Sequence, residues 1–219
     1  LPIPGVRNLV AIGSGKGGVG KTTVSVNLAL ALARSGSRVG ILDGDIYGPN
    51  VPIMLGLTDV QLGTDGKRIV PAERHGVQVV SMGFLTSDDA PVIWRGPMLH
   101  GAIQQFFREV AWQDVDYLII DMPPGTGDVA LSMAQYLPRS EVYVVTTPQA
   151  AAQRVAERAA AVSERVGMKV ITFSGFDKDN PLRHTGHGNY YVPSHDYGIV
   201  ETSHSAILHS VVPLLKVAA

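Results

Sequence analysis

The chain has 219 residues, 45% of them hydrophobic and 17% charged, with a formal net charge of −1, so it carries no overall electrostatic attraction to nucleic acid or to an anionic membrane. Its length suits one large α/β domain, residues 1–219, with a substantial core, and no apolar run is long enough to form a transmembrane helix or a secretory leader, which makes cytoplasmic the expected location. Cysteine is absent, which excludes disulfides, thiolate nucleophiles, and zinc or iron–sulfur clusters held by cysteines of this chain.

In chain order, β-branched runs alternate with helical stretches. A first strand is expected at 8–12, then a glycine-rich loop and an Ala/Leu-rich helix to about Arg34. Strands follow at 38–42 and 77–81, with the polar stretch 56–75 between them read as a loop or hairpin. The spacing predicts a helix over 98–110, a strand at 117–121 and a helix at 128–136. A strand at 141–146 precedes a long Ala/Arg/Glu helix at 149–166, then strands at 168–173 and 189–192 and a last helix over 198–212. Continuous apolar strands separated by helices predict a three-layer α/β fold: a mostly parallel sheet with helices on both faces.

Gly15-Lys16-Gly17-Gly18-Val19-Gly20-Lys21-Thr22 matches G-x-x-x-x-G-K-[ST] and lies between a buried strand and a helix. Glycines allow successive backbone N–H groups to face phosphate oxygens, and the helix start adds its positive dipole end. Residues 15–23, Thr23 included, are thus the candidate nucleotide site. Lys21 would reach the β/γ-phosphates, and the Thr22 hydroxyl would ligate Mg²⁺. Asp121 ends one apolar strand, and Asp43 and Asp45 follow another. Ligands of open parallel sheets bind at the carboxyl ends of strands, so Thr22, Asp43, Asp45 and Asp121 are the candidate metal set. A lone strand-end Asp is commonly a cap or turn residue; the neighbouring phosphate loop favours the metal reading. The Pro123–Asp128 loop after Asp121 could sense a γ-phosphate through its backbone.

The extra Lys16 in Lys16-Gly17-Gly18-Val19-Gly20-Lys21-Thr22 resembles the deviant phosphate loop of the MinD, ParA and nitrogenase iron protein superclass of P-loop NTPases. Three further motifs are similar to the Mrp/ApbC-type iron–sulfur carrier ATPases over about residues 1–165: Gly44–Asn50, Trp94-Arg95-Gly96-Pro97-Met98 and Asp121–Asp128. The resemblance implies an ATPase using ATP/ADP and Mg²⁺ in a homodimer. Lys16 would reach the partner's nucleotide, Lys21 would act on the phosphates, and Asp45 would position the attacking water, with Asp43 and Asp121 supporting the metal. Lys16, Lys21 and Asp45 are the expected catalytic residues.

Beyond that point the pattern departs from the family, which has a Cys-x-x-Cys pair and an adenine-reading Asn after the next strand. Here no cysteine occurs, and Ser174 falls near the Asn position. The expectation is therefore a lost cluster-carrier role, no iron–sulfur cluster, and weak discrimination between ATP and GTP. From about Met168, Ser174–Arg183, Tyr191-Val192-Pro193-Ser194 and Gly198–Ser210 resemble the end of a SIS-domain phosphoheptose isomerase. Residues 166–219 are assigned to this SIS-like part, which implies a recombined chain joined within 150–170. His209 matches a catalytic base of that family and Glu201 replaces its Gln, but the upstream half of the isomerase site is missing. His204 and His209 are not spaced as zinc co-ligands, and His184 and His187 read as loop histidines. Arg154, Arg158 and Arg165 read as a solvated helix face. The alternative expectation is a chimeric fold that binds nucleotide passively.

Overall fold

The computed structural model describes residues 3–45, 48–58, 60–85, 106–125, 140–146, 150–165, 167, 169–175, 177–196, 198–200 and 203. The strands are β1 (Val6–Ser14), β2 (Val39–Asp43), β3 (Gly63–Thr64), β4 (Ile69–Val70), β5 (Ala72–Arg74), β6 (Val77–Ser81), β7 (Val115–Asp121), β8 (Glu141–Val145), β9 (Lys169–Gly175) and β10 (Gly188–Val192). Among them run helices α1 (Lys21–Arg34), α2 (Val51–Leu55) and α3 (Ala150–Arg165). Eight strands form one sheet in the order β10-β9-β8-β1-β7-β2-β6-β5. Every pairing in it is parallel except β5 with β6.

Side-chain alternation along the strands builds the layers. Val10, Ile12, Ile41, Val79 and Ile119 pack with Val26, Leu28 and Leu32 of α1. Their neighbours Ala11, Leu42, Val80, Leu118 and Ile120 pack on the other side with Ala156 and Ala160 of α3 and with Phe106 and Trp112. A strand buried on both faces must be apolar at successive positions, which is why β1, β2 and β7 read as unbroken hydrophobic runs. The expected three-layer architecture is the one observed. Helix α1 ends because Gly36 enters the left-handed region (φ 87) and Ser37 N–H turns back onto the Leu32 carbonyl.

Of the loop or hairpin expected over 56–75, the structure shows a hairpin, β3 with β4. Asp65 Oδ1 accepts from the Lys67 and Arg68 amides and closes the β3–β4 hairpin. His75 and Gly76, both at positive φ (52 and 74), then turn β5 back along β6, the two-residue geometry that hairpin twist favours. Phe106–Glu109 is helical, as is Gly198–Val200. The remainder of the expected helices at 98–110 and 198–212, and all of 128–136, lie outside the described residues.

After α3 the chain continues the sheet in parallel, β9 beside β8 and β10 beside β9. A buried polar network holds this end together. Asn189 Nδ2 donates to Thr172 Oγ1 at 2.6 Å and reaches the Leu182 carbonyl at 3.2 Å, while Thr172 Oγ1 lies 3.1 Å from the same carbonyl. Thr172 is fully buried; without Asn189 its hydroxyl still donates to the Leu182 or Thr185 carbonyl, but its oxygen loses the Asn189 amide as a donor in a site closed to solvent. Asn189→Ala is expected to destabilise the fold by about 1–3 kcal/mol, read as a lower urea midpoint at unchanged slope.

Candidate functional site

The glycine loop leaves β1 at the carboxyl edge of the sheet and ends at Gly20, whose φ of 88 precedes the first turn of α1. Gly18 and Gly20 both occupy the left-handed region, where a β-carbon is strained. Gly15 is needed for a different reason. A β-carbon there would lie 2.5 Å from the Ala156 amide nitrogen and 2.6 Å from the Val155 carbonyl carbon, so only glycine lets α3 rest on the loop. Lys16 is exposed at its tip.

Lys21 is buried, and its Nζ lies 2.8 Å from Asp121 Oδ2 at the end of β7. The same carboxylate accepts from Thr22 Oγ1 at 2.7 Å and from Ser25 Oγ at 2.6 Å. The structure therefore brings Lys21, Thr22 and Asp121 together. Ser25 joins them although the sequence reading did not single it out; its spacing of four from Lys21 along one helix face was the available signal. The loop after β7 folds onto the glycine loop through Gly125 N–H to the Ser14 carbonyl, 2.8 Å. Thr126, Gly127 and Asp128 lie outside the described residues, as does the Trp94–Met98 motif.

Asp43 sits level with Asp121 on the adjacent strand and is fully buried. Its Oδ2 accepts from Val51 N–H and from Ser81 Oγ, and its Oδ1 from Asp45 N–H. Burial pushes its pKa up from 3.8 to about 7, with the Asp121 charge adding to the rise and the three hydrogen bonds opposing it. Asp45 accepts from Gly48 N–H through Oδ1. Among the described residues no three His, Cys, Asp or Glu side chains lie close enough to hold a metal ion by themselves. The hard oxygens of Thr22 and Asp121, 2.7 Å apart beside the glycine loop, suit Mg²⁺, which is commonly bound by one or two protein oxygens together with phosphate oxygens and water.

In the tail, Ser174 is buried with its hydroxyl 3.4 Å from Asn189 Oδ1. His187 Nδ1 accepts from Val170 N–H at 3.1 Å, a structural role, and His184 is exposed. Arg154, Arg158 and Arg165 are exposed on α3. Glu201, His204 and His209 lie outside the described residues. No helix among the described residues is long and apolar enough to cross a membrane.

A buried strand, a glycine loop and a helix carrying Lys-Thr against a strand-end Asp define a P-loop nucleotide-binding protein. The model of the ParA-type NUBPL iron-transfer P-loop NTPases matches residues 5–174, and the chain belongs to that family. It is 52% identical over 170 residues to the iron–sulfur cluster carrier protein of Synechocystis, covering 76% of this chain and 48% of that protein. It is also 52% identical over 177 residues to the carrier of Pseudomonas fragi, 77% of this chain and 61% of that one. The chain thus spans about half the length of such curated relatives. Among solved structures it resembles the Archaeoglobus fulgidus nucleotide-binding protein in complex with ADP, with TM-score 0.71, 29% identity, and 94% and 89% of the two chains covered. The fold is shared with the Mg-ADP complex of Pyrococcus horikoshii MinD, TM-score 0.59 at 21% identity over 89% and 85%.

These relatives overturn two expectations, the lost carrier role and the absence of an iron–sulfur cluster. Relatives at about half identity are named iron–sulfur cluster carriers. The missing cysteines exclude thiolate ligation by these 219 residues, and they do not bear on a role exercised with ligands from elsewhere.

The Asp43 carboxyl sets a pH dependence. Its folded pKa lies above the unfolded value, so the native state binds the extra proton between about 3.8 and 7 and loses stability as pH rises through that window. Asp65 and Asp116 shift the other way, held low by the Arg68 amide and the Arg38 guanidinium respectively, and act only at more acidic pH. Without Mg²⁺, stability measured by denaturant should fall from pH 5 to pH 8, and Asp43→Asn should flatten that slope.

Proposed function

We propose that the chain binds Mg²⁺–ATP and hydrolyses it, as the nucleotide-driven part of an iron–sulfur cluster carrier. The observation that carries this reading is the buried Lys21 Nζ, 2.8 Å from Asp121 Oδ2, with Thr22 Oγ1 on the same oxygen at 2.7 Å. It places a cation, a hydroxyl and a carboxylate at the mouth of a glycine loop. Mg²⁺, when bound, would neutralise charge on the β- and γ-phosphates, held by Thr22 and, through water, by Asp121. The loop amides from Gly15 to Thr22, with Thr23 following, would surround the phosphates, and Lys21 would transfer its charge to them. Asp45 would position the attacking water, while Asp43 would brace the segment that carries it through the Asp45 and Val51 amides. Hydrolysis of this kind rests on positioning and charge stabilisation.

Lys16, exposed on the loop, would complete the site of a second copy, so the working state is a homodimer. The cluster is the cargo. With no cysteine in these residues, its thiolates would come from another segment or another chain, in keeping with relatives that extend well beyond the matched region. Residues 166–219 form a SIS-like part completing one α/β domain. In support, the family match stops at residue 174 while β9 and β10 hydrogen-bond into the common sheet.

Saturating Mg-ADP at a hundred times its Kd should stabilise the protein by about 2.7 kcal/mol, and Lys21→Ala should abolish that thermal shift. Nucleotide affinity unchanged in Lys21→Ala would refute the assignment. Ser174 offers one short hydroxyl where the family reads adenine, so competition titrations should place the ATP and GTP dissociation constants within about tenfold of each other.

A further inference from the structure

Ser81 ends β6 level with Asp43, and the Met82–Leu85 turn follows it at the carboxyl edge of the sheet. That turn is packed from both faces. Met82 is buried in the layer that holds α3, and Phe84 packs against the layer that holds α1. Gly83, between them, donates its N–H to Ser81 Oγ at 3.0 Å, and Ser81 Oγ donates to Asp43 Oδ2 at 3.1 Å. The backbone of Gly83 lies outside the left-handed region, so its conformation does not require glycine. Its surroundings do. A β-carbon there would lie 2.9 Å from Pro49 Cγ and 3.0 Å from Pro49 Cβ, well inside the distance at which carbon atoms pack.

Pro49 belongs to the segment between β2 and α2 that carries Asp45. Asp43 holds this segment at two points, accepting from Asp45 N–H and from Val51 N–H, each at 3.2 Å. Between those points Gly48 N–H donates to Asp45 Oδ1 at 3.2 Å, and Asn50 Nδ2 donates to the Gly48 carbonyl at 2.8 Å. The Met82–Leu85 turn is wedged between two layers, whereas Pro49 is only half-buried. Crowding at Gly83 is therefore relieved by Pro49, and the adjoining Gly48 amide transmits that shift to the Asp45 carboxylate.

Resting on the nucleotide reading above, we propose that Gly83 is a positioning residue for hydrolysis: by leaving room for Pro49 it sets where the Asp45 carboxylate stands. The test is a double-mutant cycle of Gly83→Ala and Pro49→Gly, the latter removing both crowded atoms, read by ATP turnover, Mg-ADP calorimetry and hydrogen exchange of the Gly48 amide. Gly83→Ala should lower kcat by about tenfold or more, while Mg-ADP affinity stays within about twofold of wild type because the phosphate loop is untouched. The Gly48 amide should exchange faster in that variant. On the Pro49→Gly background the same substitution should cost less than about twofold in kcat and leave Gly48 exchange unchanged, the non-additivity of groups in contact. An equal cost on both backgrounds would overturn the proposal, as would wild-type turnover in Gly83→Ala or a loss of Mg-ADP binding alongside turnover. Should Gly83→Ala fail to fold, Pro49→Gly should restore folding, and a failure on both backgrounds would overturn the contact. A wild type that does not turn over ATP would refute the hydrolytic reading instead, and Gly48 exchange would then decide whether Gly83 places the Asp45 segment.

Discussion

The buried pair of Lys21 and Asp121 ties the first turn of α1 to the end of the central strand β7. Two charges taken out of water are costly unless hydrogen bonds satisfy them, and here Thr22 and Ser25 both direct hydroxyls at the carboxylate. Helix α1 is thereby anchored at a defined rotation over β1 and β7, with its apolar residues toward the sheet and its N-terminus over the glycine loop. The loop conformation, the start of the helix and the strand end form one unit. Anything that draws Lys21 or Thr22 away must replace the contacts they make with Asp121.

Asp121 does not stand alone. Asp43 faces it across one ladder step, and two buried carboxylates side by side disfavour double ionisation, part of why Asp43 is pushed up to about 7. The three donors on Asp43 come from the segment after β2 and from Ser81 of β6. Ionisation at one strand end is thus coupled to the placement of Asp45 and to the start of α2.

The other side of the sheet imposes a packing constraint. Because the α3 backbone occupies the space a β-carbon of Gly15 would need, the phosphate loop is clamped between α1 and α3. Helix α3 also covers β8 and β9 and meets the Pro181–His184 turn. The tail is therefore mechanically continuous with the site although the family match ends within it.

Much of this was legible in the residues alone. The strand and helix order follows from apolar runs and their spacing, and the phosphate loop from glycines followed by Lys-Thr, because both depend on neighbours in sequence. The strands at 77–81 and 141–145 fell where β-branched runs placed them. The antiparallel turn into β5 was not resolved within 56–75, since it depends on two residues at positive φ that only the adjacent β6 rewards. Ser25 and Ser81 were missed for the same reason: a serine acquires its role from the carboxylate it meets, and Asp121 and Asp43 lie 96 and 38 residues away. Cysteine content misled the reading of the carrier role, because ligand atoms in one stretch of chain say nothing of ligands contributed from elsewhere. Local chemistry determined the elements and the loop. Which polar side chains are spent on the fold, as Asn189 is, and which stand at the site, as Ser81 does, was decided only when distant strands came into register.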